Sequence, residues 1–190
     1  MTIDPSIFKS YDIRAIYPTQ INEENIQVIA QSIYKVLSEK LGKEKYKMAI
    51  GHDMRISSPA LFSKLKEALI KCGIEVIDFG LVSTPTFYYG VFAKKYDGGI
   101  QLSASHNPKE YNGLKIVMNS PKGLIKIGKS TGMEDVKRIS LETNDLLDLE
   151  GGPADRLIRY TKNMKTLYYG VCTMGLVPAI GYDAQGPIVI

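Results

Sequence analysis

Short apolar segments alternate with amphipathic, helix-forming segments along most of the 190-residue chain. Such alternation is typical of βαβ units, in which each strand is followed by a helix. Because a crossover helix must lie on a face of the sheet, the repeat predicts helices on both faces. The fold class that follows is α/β, a three-layer α/β/α domain. The strands that carry this prediction are Ile7–Ile13, Lys47–Ile50, Glu75–Phe79, Ile100–Leu102 and Leu114–Met118.

Three segments begin with residues that favour the start of a helix. Asn22 is a good cap for the first helix. Ser58 before Pro59, and Thr84 before Pro85, combine a capping hydroxyl with a proline at the first helical position. The apolar faces at helical spacing are Ile26, Ile29, Ile33, Leu37 and Leu41 in the first helix, Leu61, Leu65, Leu69 and Cys72 in the second, and Phe87, Tyr88, Val91 and Phe92 in the third.

One pair of strands is predicted to be antiparallel. Asn112-Gly113 is a dipeptide typical of tight hairpin turns, and it stands directly before the strand Leu114–Met118. Because the other connections pass through helices, the sheet is expected to be mixed.

The segment after the strand Ile100–Leu102 carries reactive side chains. Ser105 follows the strand, with His106 beside it and Lys109 and Lys115 close in sequence. A serine hydroxyl needs a base or a charged setting to act as a nucleophile. If it were phosphorylated, it would carry about −2 charge and would need nearby cations. The same residues also fit an ordinary Asx-Pro turn with solvated polar groups, so local chemistry leaves both interpretations open.

Residues 103–108, Ser-Ala-Ser-His-Asn-Pro, resemble the active-site serine loop of the α-D-phosphohexomutases, the phosphomannomutase/phosphoglucomutase family. The following Glu-Tyr-Asn-Gly-Leu-Lys, residues 110–115, fits that family's continuation. The resemblance implies that Ser105 is carried as a phosphoserine and exchanges its phosphoryl group with hexose 1- and 6-phosphates. A hexose 1,6-bisphosphate is then the intermediate and activator, and Mg²⁺ touches the phosphoserine. His106 and Lys115 are implied as catalytic residues.

Two further phrases resemble the same family. Residues 8–14, Phe-Lys-Ser-Tyr-Asp-Ile-Arg, imply that Tyr11 and Arg14 bind the phosphosugar, and a guanidinium can bind phosphate with two hydrogen bonds. Residues 51–55, Gly-His-Asp-Met-Arg, resemble the family's Gly-Arg-Asp-x-Arg, with His52 where arginine is usual. We expect His52 to be a partly exposed loop residue, and Asp53 and Arg55 to be an architectural pair.

Composition excludes several classes of function. Apolar residues make up 44% of the chain and charged residues 23%, as expected for a globular core. The net charge of +4 comes from scattered lysines, so a nucleic-acid interface is not predicted. No apolar run is long enough to span a membrane. Two cysteines without metal-ligand spacing, and an N-terminus without the pattern of a signal peptide, favour a reduced, cytoplasmic protein.

The segment Gly123–Ser130 has the literal spacing of a Walker A motif. A true phosphate-binding loop follows a strand and wraps its backbone around phosphate. Here the interior residues are Leu, Ile and Ile, which prefer extended structure. We therefore expect Lys129 to be exposed and away from the serine loop, and Thr131 with Glu134 to form a capping box for the next helix. A nucleotide binder remains a third, weaker hypothesis.

Gly151-Gly152-Pro153 is a break in composition and marks the predicted domain boundary. Residues 1–152 would form the active-site serine domain, and 153–190 a partial or altered entry to a second domain, with a helix opening at Pro153. The resemblance covers about residues 7–165, the size of one ordinary domain. The family's Asp-Gly-Asp-x-Asp-Arg metal loop and its later sugar-selecting segments are absent, and with them the remaining mutase domains.

Two classes of function follow. In one, the chain is the phosphoserine-bearing part of a phosphohexomutase, acts on a phosphosugar, and needs Mg²⁺ whose other ligands lie elsewhere, so that the chain alone lacks turnover. In the other, it is a non-catalytic fragment that binds phosphate or a partner. The sequence leaves open whether glucose, mannose or glucosamine phosphate is the substrate, and it leaves the oligomeric state open.

Overall fold

The structure is a computed structural model that describes residues 3–143 in full and the backbone of 157–159, 181–183 and 186–188. The helices are α1 Asn25–Leu41, α2 Ser58–Lys71, α3 Thr84–Ala93 and α4 Met133–Glu142, with short 3₁₀ turns at Pro5–Ile7 and Lys129–Thr131. The strands are β1 Ile13–Ile16, β2 Lys47–His52, β3 Glu75–Leu81, β4 Gly98–Leu102, β5 Tyr111–Ser120, β6 Gly123–Lys126, β7 Leu157–Arg159, β8 Gly181–Asp183 and β9 Gly186–Ile188.

Seven strands form one mixed sheet in the order β1-β5-β4-β2-β3-β7, with β6 also paired to β5. Strand β2 is parallel to both β3 and β4, whereas β5 is antiparallel to β1, β4 and β6. The prediction of a mixed sheet is therefore confirmed. β8 and β9 pair with each other in a separate antiparallel two-stranded sheet.

Helices cover both faces of this sheet. Alternate strand residues point to opposite faces, and two apolar cores result. The larger core packs α1, α2 and α4 on one face, through residues such as Ile33, Leu65 and Val136. The smaller core packs α3 on the other face, where Phe87 and Val91 meet Val117 of β5. The three-layer α/β/α architecture predicted from the alternation is confirmed.

Two predicted helix caps are displaced by one residue. α2 includes Ser58, and the residue before the helix is Ser57, which makes no side-chain cap. α3 is capped by Ser83, whose hydroxyl accepts from the amide of Thr86 at 3.3 Å. In each case two adjacent hydroxyl residues precede the proline, so sequence alone does not separate the cap from the first helical residue.

The other two predicted caps, at Asn22 and at Thr131, also differ from the caps in the structure. The side chain of Asn22 accepts from the amides of Glu24 and Asn25 at 3.0 Å, which orders the turn just before α1. The predicted Thr131–Glu134 capping box is wrong, because α4 begins at Met133 after Gly132, without a side-chain cap.

The first predicted strand is also wrong in its extent. Residues 8–12 form a loop, and regular pairing begins only at Ile13. A single bridge joins Phe8 to Ile13, and the amide of Lys9 donates to the carbonyl of Asp12 at 2.8 Å. The tip of this short loop is Ser10-Tyr11, and we refer to residues 8–12 as the N-terminal loop.

Asn112-Gly113 is not a turn. Both residues lie inside β5, opposite Ala15 and Arg14 of β1. The connection between β4 and β5 is the eight-residue segment 103–110 instead. Gly113 is needed for a reason that is not local, since a Cβ there would lie 2.0 Å from the carbonyl oxygen of Ile13. The absent side chain allows β1 to approach β5.

Two segments share one edge of β5. β1 pairs with residues 111–114 and β6 with residues 117–120, and both run antiparallel to β5. Between them, the amide of Ile127 donates to the carbonyl of Ile116 at 2.9 Å. Together they form one interrupted edge strand, whose gap lies beside Lys115.

The helix predicted to open at Pro153 is contradicted at Leu157–Arg159, which form strand β7 parallel to β3. The predicted boundary after residue 152 lies outside the described residues and stays a prediction. Within the part of the chain that the structure describes, none of the helices has both the length and the apolar character needed to cross a membrane.

Candidate active site

The serine loop, residues 103–110, leaves the carboxyl end of β4, where open α/β sheets bind ligands. The amide of Ser105 donates to the hydroxyl of Ser103 at 3.0 Å, and that of Asn107 to the carbonyl of Ala104 at 3.1 Å. Ser105 has a left-handed backbone with φ of 58°, which is uncommon for serine. Ser105 and His106 are exposed. The folded loop thus presents the Ser105 hydroxyl to solvent.

Arg55 holds this loop in place. Its guanidinium donates to the carbonyl oxygens of Pro108 (2.6 Å), Tyr111 (2.8 Å), Asn107 (2.7 Å) and Ser105 (3.0 Å). Four carbonyls on one side chain use the fixed fork of donors that only arginine offers. Arg55 is therefore a structural clamp for the loop that bears Ser105.

Asp53 orients this clamp. Its carboxylate accepts from Arg55 Nε at 3.2 Å and from the Ser58 hydroxyl at 2.9 Å. Asn112 of β5 donates to the same Ser58 hydroxyl at 3.1 Å. The predicted architectural pair of Asp53 and Arg55 is present, whereas the carbonyl contacts of Arg55 had no sequence signal.

A second charged group lies beside the loop. Asp12, only 4% exposed, accepts from Arg14 Nε at 3.0 Å and from Lys115 Nζ at 2.8 Å. Arg14 Nη1 also donates to Asn107 Oδ1 at 2.7 Å. Two cations share one buried carboxylate, so the group keeps a net charge of +1. The bond from Arg14 to Asn107 joins this positively charged group to the serine loop.

Asp12 was missed by the sequence reasoning, although it stands between Tyr11 and Arg14 in the N-terminal phrase. The available signal was an acidic residue within the segment Ile7–Ile13 predicted as a strand, because a buried carboxylate needs a charged partner. Its role depends on Lys115, which is distant in sequence and reaches it only because β1 pairs with β5.

The structure brings Arg14 and Lys115 together, but leaves Tyr11 and His106 at the surface. Tyr11 is 77% exposed at the tip of the N-terminal loop. Within the described residues, no side-chain hydrogen bond joins Tyr11 or His106 to Ser105. Their predicted roles toward a phosphosugar stay predictions.

Tyr88 of α3 lies on the same side of the sheet as this charged group. Burial, together with the negative charge of Asp12, raises the pKa of Tyr88 to about 12. The ammonium of Lys126 lies 5.6 Å from the centre of the Tyr88 ring, within the range of a cation–π contact. The phenol is thus a neutral neighbour of the Asp12 group at physiological pH.

His52 ends β2 rather than lying in a loop. It is half-buried, its ring meets Phe62 edge-on at 4.9 Å between centroids, and Nδ1 lies 2.8 Å from the Asp53 carbonyl oxygen. The part of the expectation that placed it in a loop is wrong. Its ring contact with Phe62 supports a packing role.

The Walker-like segment does not form a phosphate cradle. Gly123–Lys126 is strand β6, paired along β5, and Lys129 opens a 3₁₀ turn. Lys129 is exposed, as predicted. Its amide donates to the carbonyl of Ser10 at 2.8 Å, so its backbone lies against the N-terminal loop. In this segment the backbone hydrogen bonds pair β6 with β5 and join Lys129 to the N-terminal loop.

The described residues contain no group of three or more histidine, cysteine, aspartate or glutamate side chains that could hold a metal ion. Two carboxylates beside the serine loop are already used, since Asp12 binds Arg14 and Lys115, and Asp53 binds Arg55. A divalent cation would therefore find few protein ligands within this part of the chain.

Comparison with protein families gives a match over residues 5–137 to the phosphoglucomutase/phosphomannomutase family, alpha/beta/alpha domain I. The match contains the N-terminal loop, the Arg55 clamp, the serine loop and Lys115. The chain belongs to this family. The resemblance noted from residues 103–115 is therefore confirmed.

Several phosphohexomutases are clear relatives. The chain is 34% identical over 168 residues to a phosphomannomutase/phosphoglucomutase from Pseudomonas aeruginosa, which covers 86% of this chain and 34% of the relative. It is 35% identical over 143 residues to a phosphomannomutase from Vibrio cholerae, covering 75% of this chain and 30% of the relative. The chain thus spans about a third of the length of these relatives.

Solved structures agree on the fold. A phosphoglucomutase/phosphomannomutase family protein from Burkholderia thailandensis matches with a TM-score of 0.67 and 25% identity, over 84% of this chain and 34% of that one. A candidate phosphomannomutase from Thermus thermophilus, 22% identical, matches with a TM-score of 0.69 over 88% of this chain and 35% of that one. The second likeness supports the phosphohexomutase fold alone.

Proposed function

We propose that Ser105 carries a phosphoryl group and that this chain supplies the phosphoserine-bearing part of a hexose-phosphate mutase. One observation carries the proposal. The exposed Ser105 hydroxyl stands on a loop that Arg55 clamps through four carbonyls, beside a buried Asp12 that holds Arg14 and Lys115. The names of the Pseudomonas and Vibrio relatives support the same class of reaction.

Charge balance supports this role for Ser105. A phosphoserine carries about −2 charge and needs cations or donors around it. Arg14 is tied to the serine loop through Asn107, two residues after Ser105. Lys115 uses one of its three donor hydrogens on Asp12, which leaves two for phosphate oxygens.

The reaction exchanges one bond for another. The bond between phosphorus and Ser105 Oγ breaks, and a bond forms between phosphorus and a hydroxyl oxygen of the hexose phosphate. The proton of that hydroxyl is released as the serine oxygen becomes the leaving group, and Lys115 and His106 would take part in its transfer. The hexose 1,6-bisphosphate so formed would return its other phosphoryl group to Ser105. Tyr11 and Arg14 would hold the phosphosugar.

Magnesium is a poor fit for the described residues alone, because they contain no group of three or more histidine, cysteine, aspartate or glutamate side chains that could hold a metal ion. Mg²⁺ prefers a near-octahedral shell of oxygens. We therefore expect the remaining ligands to come from other parts of a mutase, and a polypeptide of these 190 residues to show no mutase turnover by itself.

The test is to locate the phosphate. A hybrid mutase that contains residues 1–150 of this chain, incubated with glucose 1,6-bisphosphate and Mg²⁺, should gain the mass of one phosphoryl group, and peptide mapping should place it on Ser105. Ser105→Ala should lose it. Ser130→Ala is the matched control, since Ser130 is an exposed serine outside the serine loop, and it should keep the phosphate.

Turnover is tested in a hybrid enzyme. Residues 1–150 would replace the corresponding third of the Pseudomonas aeruginosa relative, and conversion of glucose 1-phosphate and mannose 1-phosphate would be assayed. The hybrid should be active and its Ser105→Ala form inactive, while the 190-residue chain should be inactive. Phosphate on another residue, or full activity after Ser105→Ala, would refute Ser105 as the carrier and favour a non-catalytic binding role.

A further inference from the structure

The gap in the interrupted edge strand is filled by a tight turn, residues 126–131, which we call the glycine turn. Ile127 is fully buried in the larger core and continues the pairing of β6 along β5. After it, Gly128 leaves the edge, just where Asp12 and Ile13 enter it from the other side. The two segments meet beside Lys115.

Contact between the glycine turn and the N-terminal loop is unusually close. The amide of Lys129 donates to the carbonyl of Ser10 at 2.8 Å. A Cβ at position 128 would lie 2.7 Å from that same carbonyl oxygen and 3.4 Å from Tyr11 Cδ1. Contacts under about 3.0 Å are not tolerated by real side chains, so any residue larger than glycine must push Ser10 away.

The glycine turn has little freedom to yield. The hydroxyl of Thr131 accepts from the amide of Gly128 at 2.7 Å and donates to the carbonyl of Lys126 at 2.6 Å. The carbonyl of Gly128 accepts from the amide of Met133 at 2.9 Å, which ties it to the start of α4. A substituent on Gly128 would therefore displace the N-terminal loop rather than the turn.

The N-terminal loop is fixed on its other side by the bond from Lys9 to Asp12. Ser10 and Tyr11 are consequently held between that bond and the glycine turn. We propose that Gly128 is a positioning residue for the site: its close contact with Ser10 sets where Tyr11 stands and how Asp12 meets Lys115. This inference rests on the proposed function, in which Tyr11 contacts the phosphosugar.

The positioning role and a nucleotide-binding loop make opposite predictions for adjacent residues. In a Walker A motif the lysine contacts phosphate, so Lys129 would matter most. In the positioning role only the Lys129 amide is used, and its side chain is exposed. Lys129→Ala is thus a matched control for Gly128→Ala.

The experiment measures affinity for glucose 1,6-bisphosphate by titration calorimetry, and the Tyr11 ring resonances by NMR, in the 190-residue chain. We expect Gly128→Ala to weaken binding about tenfold and to shift the Tyr11 resonances, since small displacements of a contact residue carry large costs. Thr131→Val, which keeps shape but removes the hydroxyl, should do the same to a smaller degree. Lys129→Ala should change neither.

A double variant decides whether Gly128 acts through Tyr11. If it does, Tyr11→Ala in the Gly128→Ala background should cost much less than it does alone. Additive losses would overturn the proposal, as would unchanged binding and unchanged Tyr11 resonances in both Gly128→Ala and Thr131→Val. If Gly128→Ala does not fold, Thr131→Val is used in its place. If the affinity for glucose 1,6-bisphosphate is too weak to measure, the shift of the Tyr11 ring resonances tests the positioning role.

Failure here is distinguishable from failure of the proposed function. Weaker binding in Tyr11→Ala but not in Gly128→Ala would overturn only the positioning role. No effect of Tyr11→Ala would overturn both that role and the proposed contact of Tyr11 with substrate. Whether Ser105 carries the phosphoryl group is tested separately, by the peptide mapping described above. Weaker binding in Lys129→Ala alone would overturn the positioning role in favour of a phosphate-binding loop.

Discussion

Replacing Arg55 by methionine tests whether one side chain fixes the conformation of the serine loop. Arg55 is 11% exposed and makes four hydrogen bonds to carbonyls and one ion pair with Asp53. The bonds to Pro108 and Ser105 are at exposed positions, where water would replace the lost donor. The bonds to Asn107 and Tyr111 are half-buried, and hydrogen bonds to a charged group there are worth about 1.5 kcal/mol each.

Adding a small contribution from the half-screened ion pair, we expect the free energy of unfolding to fall by about 3 kcal/mol. Urea unfolding of the 190-residue chain, followed by circular dichroism, measures this change. Arg138→Met is the control. Arg138 is 57% exposed, and within the described residues its ion pairs are with Asp135 and Glu142 of α4, so its loss should cost less than about 0.5 kcal/mol.

Arg55→Lys should recover less than half of the loss, because an ammonium cannot reach four carbonyls as a planar fork does. Hydrogen exchange at the Asn107 amide should rise in Arg55→Met and stay unchanged in Arg138→Met. Equal losses of stability in Arg55→Met and Arg138→Met, or a fully stable lysine variant, would refute the assignment of Arg55 as the clamp.

Two further predictions follow from contacts near the same edge of the sheet. Gly113→Ala should lower the free energy of unfolding by about 3 kcal/mol in the same urea assay, because the added Cβ would lie 2.0 Å from the carbonyl oxygen of Ile13. Gly42→Ala is the control: Gly42 has a positive φ but open space around its Cβ position, so this substitution should cost about 1 kcal/mol. Tyr88, whose pKa is raised from 10.0 to about 12 by burial and by the charge of Asp12, binds its proton more tightly in the folded state. Its contribution to stability should be fully present below pH 10 and be lost as the pH rises to 12, so Tyr88→Phe should flatten the fall in stability over that range, and an unchanged slope would contradict it.

The alternation of strands and helices predicted the layers because it depends only on short windows of sequence. Predictions from such short segments were wrong where a contact with a residue distant in sequence determines the local structure. Asn112-Gly113 has the composition of a turn, yet strand β5 continues through it. β1 pairs with β5 at this point, and Gly113 leaves the space that the carbonyl oxygen of Ile13 occupies.

The site shows the same division. Ser105, Arg14 and Lys115 were predicted as site residues from short motifs, and the structure brings the last two together on one carboxylate. The four carbonyl contacts of Arg55 could not be predicted. Every residue has a backbone carbonyl, so the sequence does not show which of them accept a hydrogen bond from a distant side chain. Cap positions slipped by one residue where two hydroxyl side chains stand in tandem, as at Ser57 and Ser58.

The interrupted edge strand also bears on how the domain folds. Its two pieces are far apart in sequence, and the bond from Lys115 to Asp12 at the gap between them spans 103 residues. Contacts of high sequence separation cost the most loop entropy and tend to form late. While a ribosome is still adding residues 121–127, half of the β5 edge has no strand to pair with, and an open edge invites pairing with other chains. Strand β6 and Ile127 therefore end this exposure during synthesis.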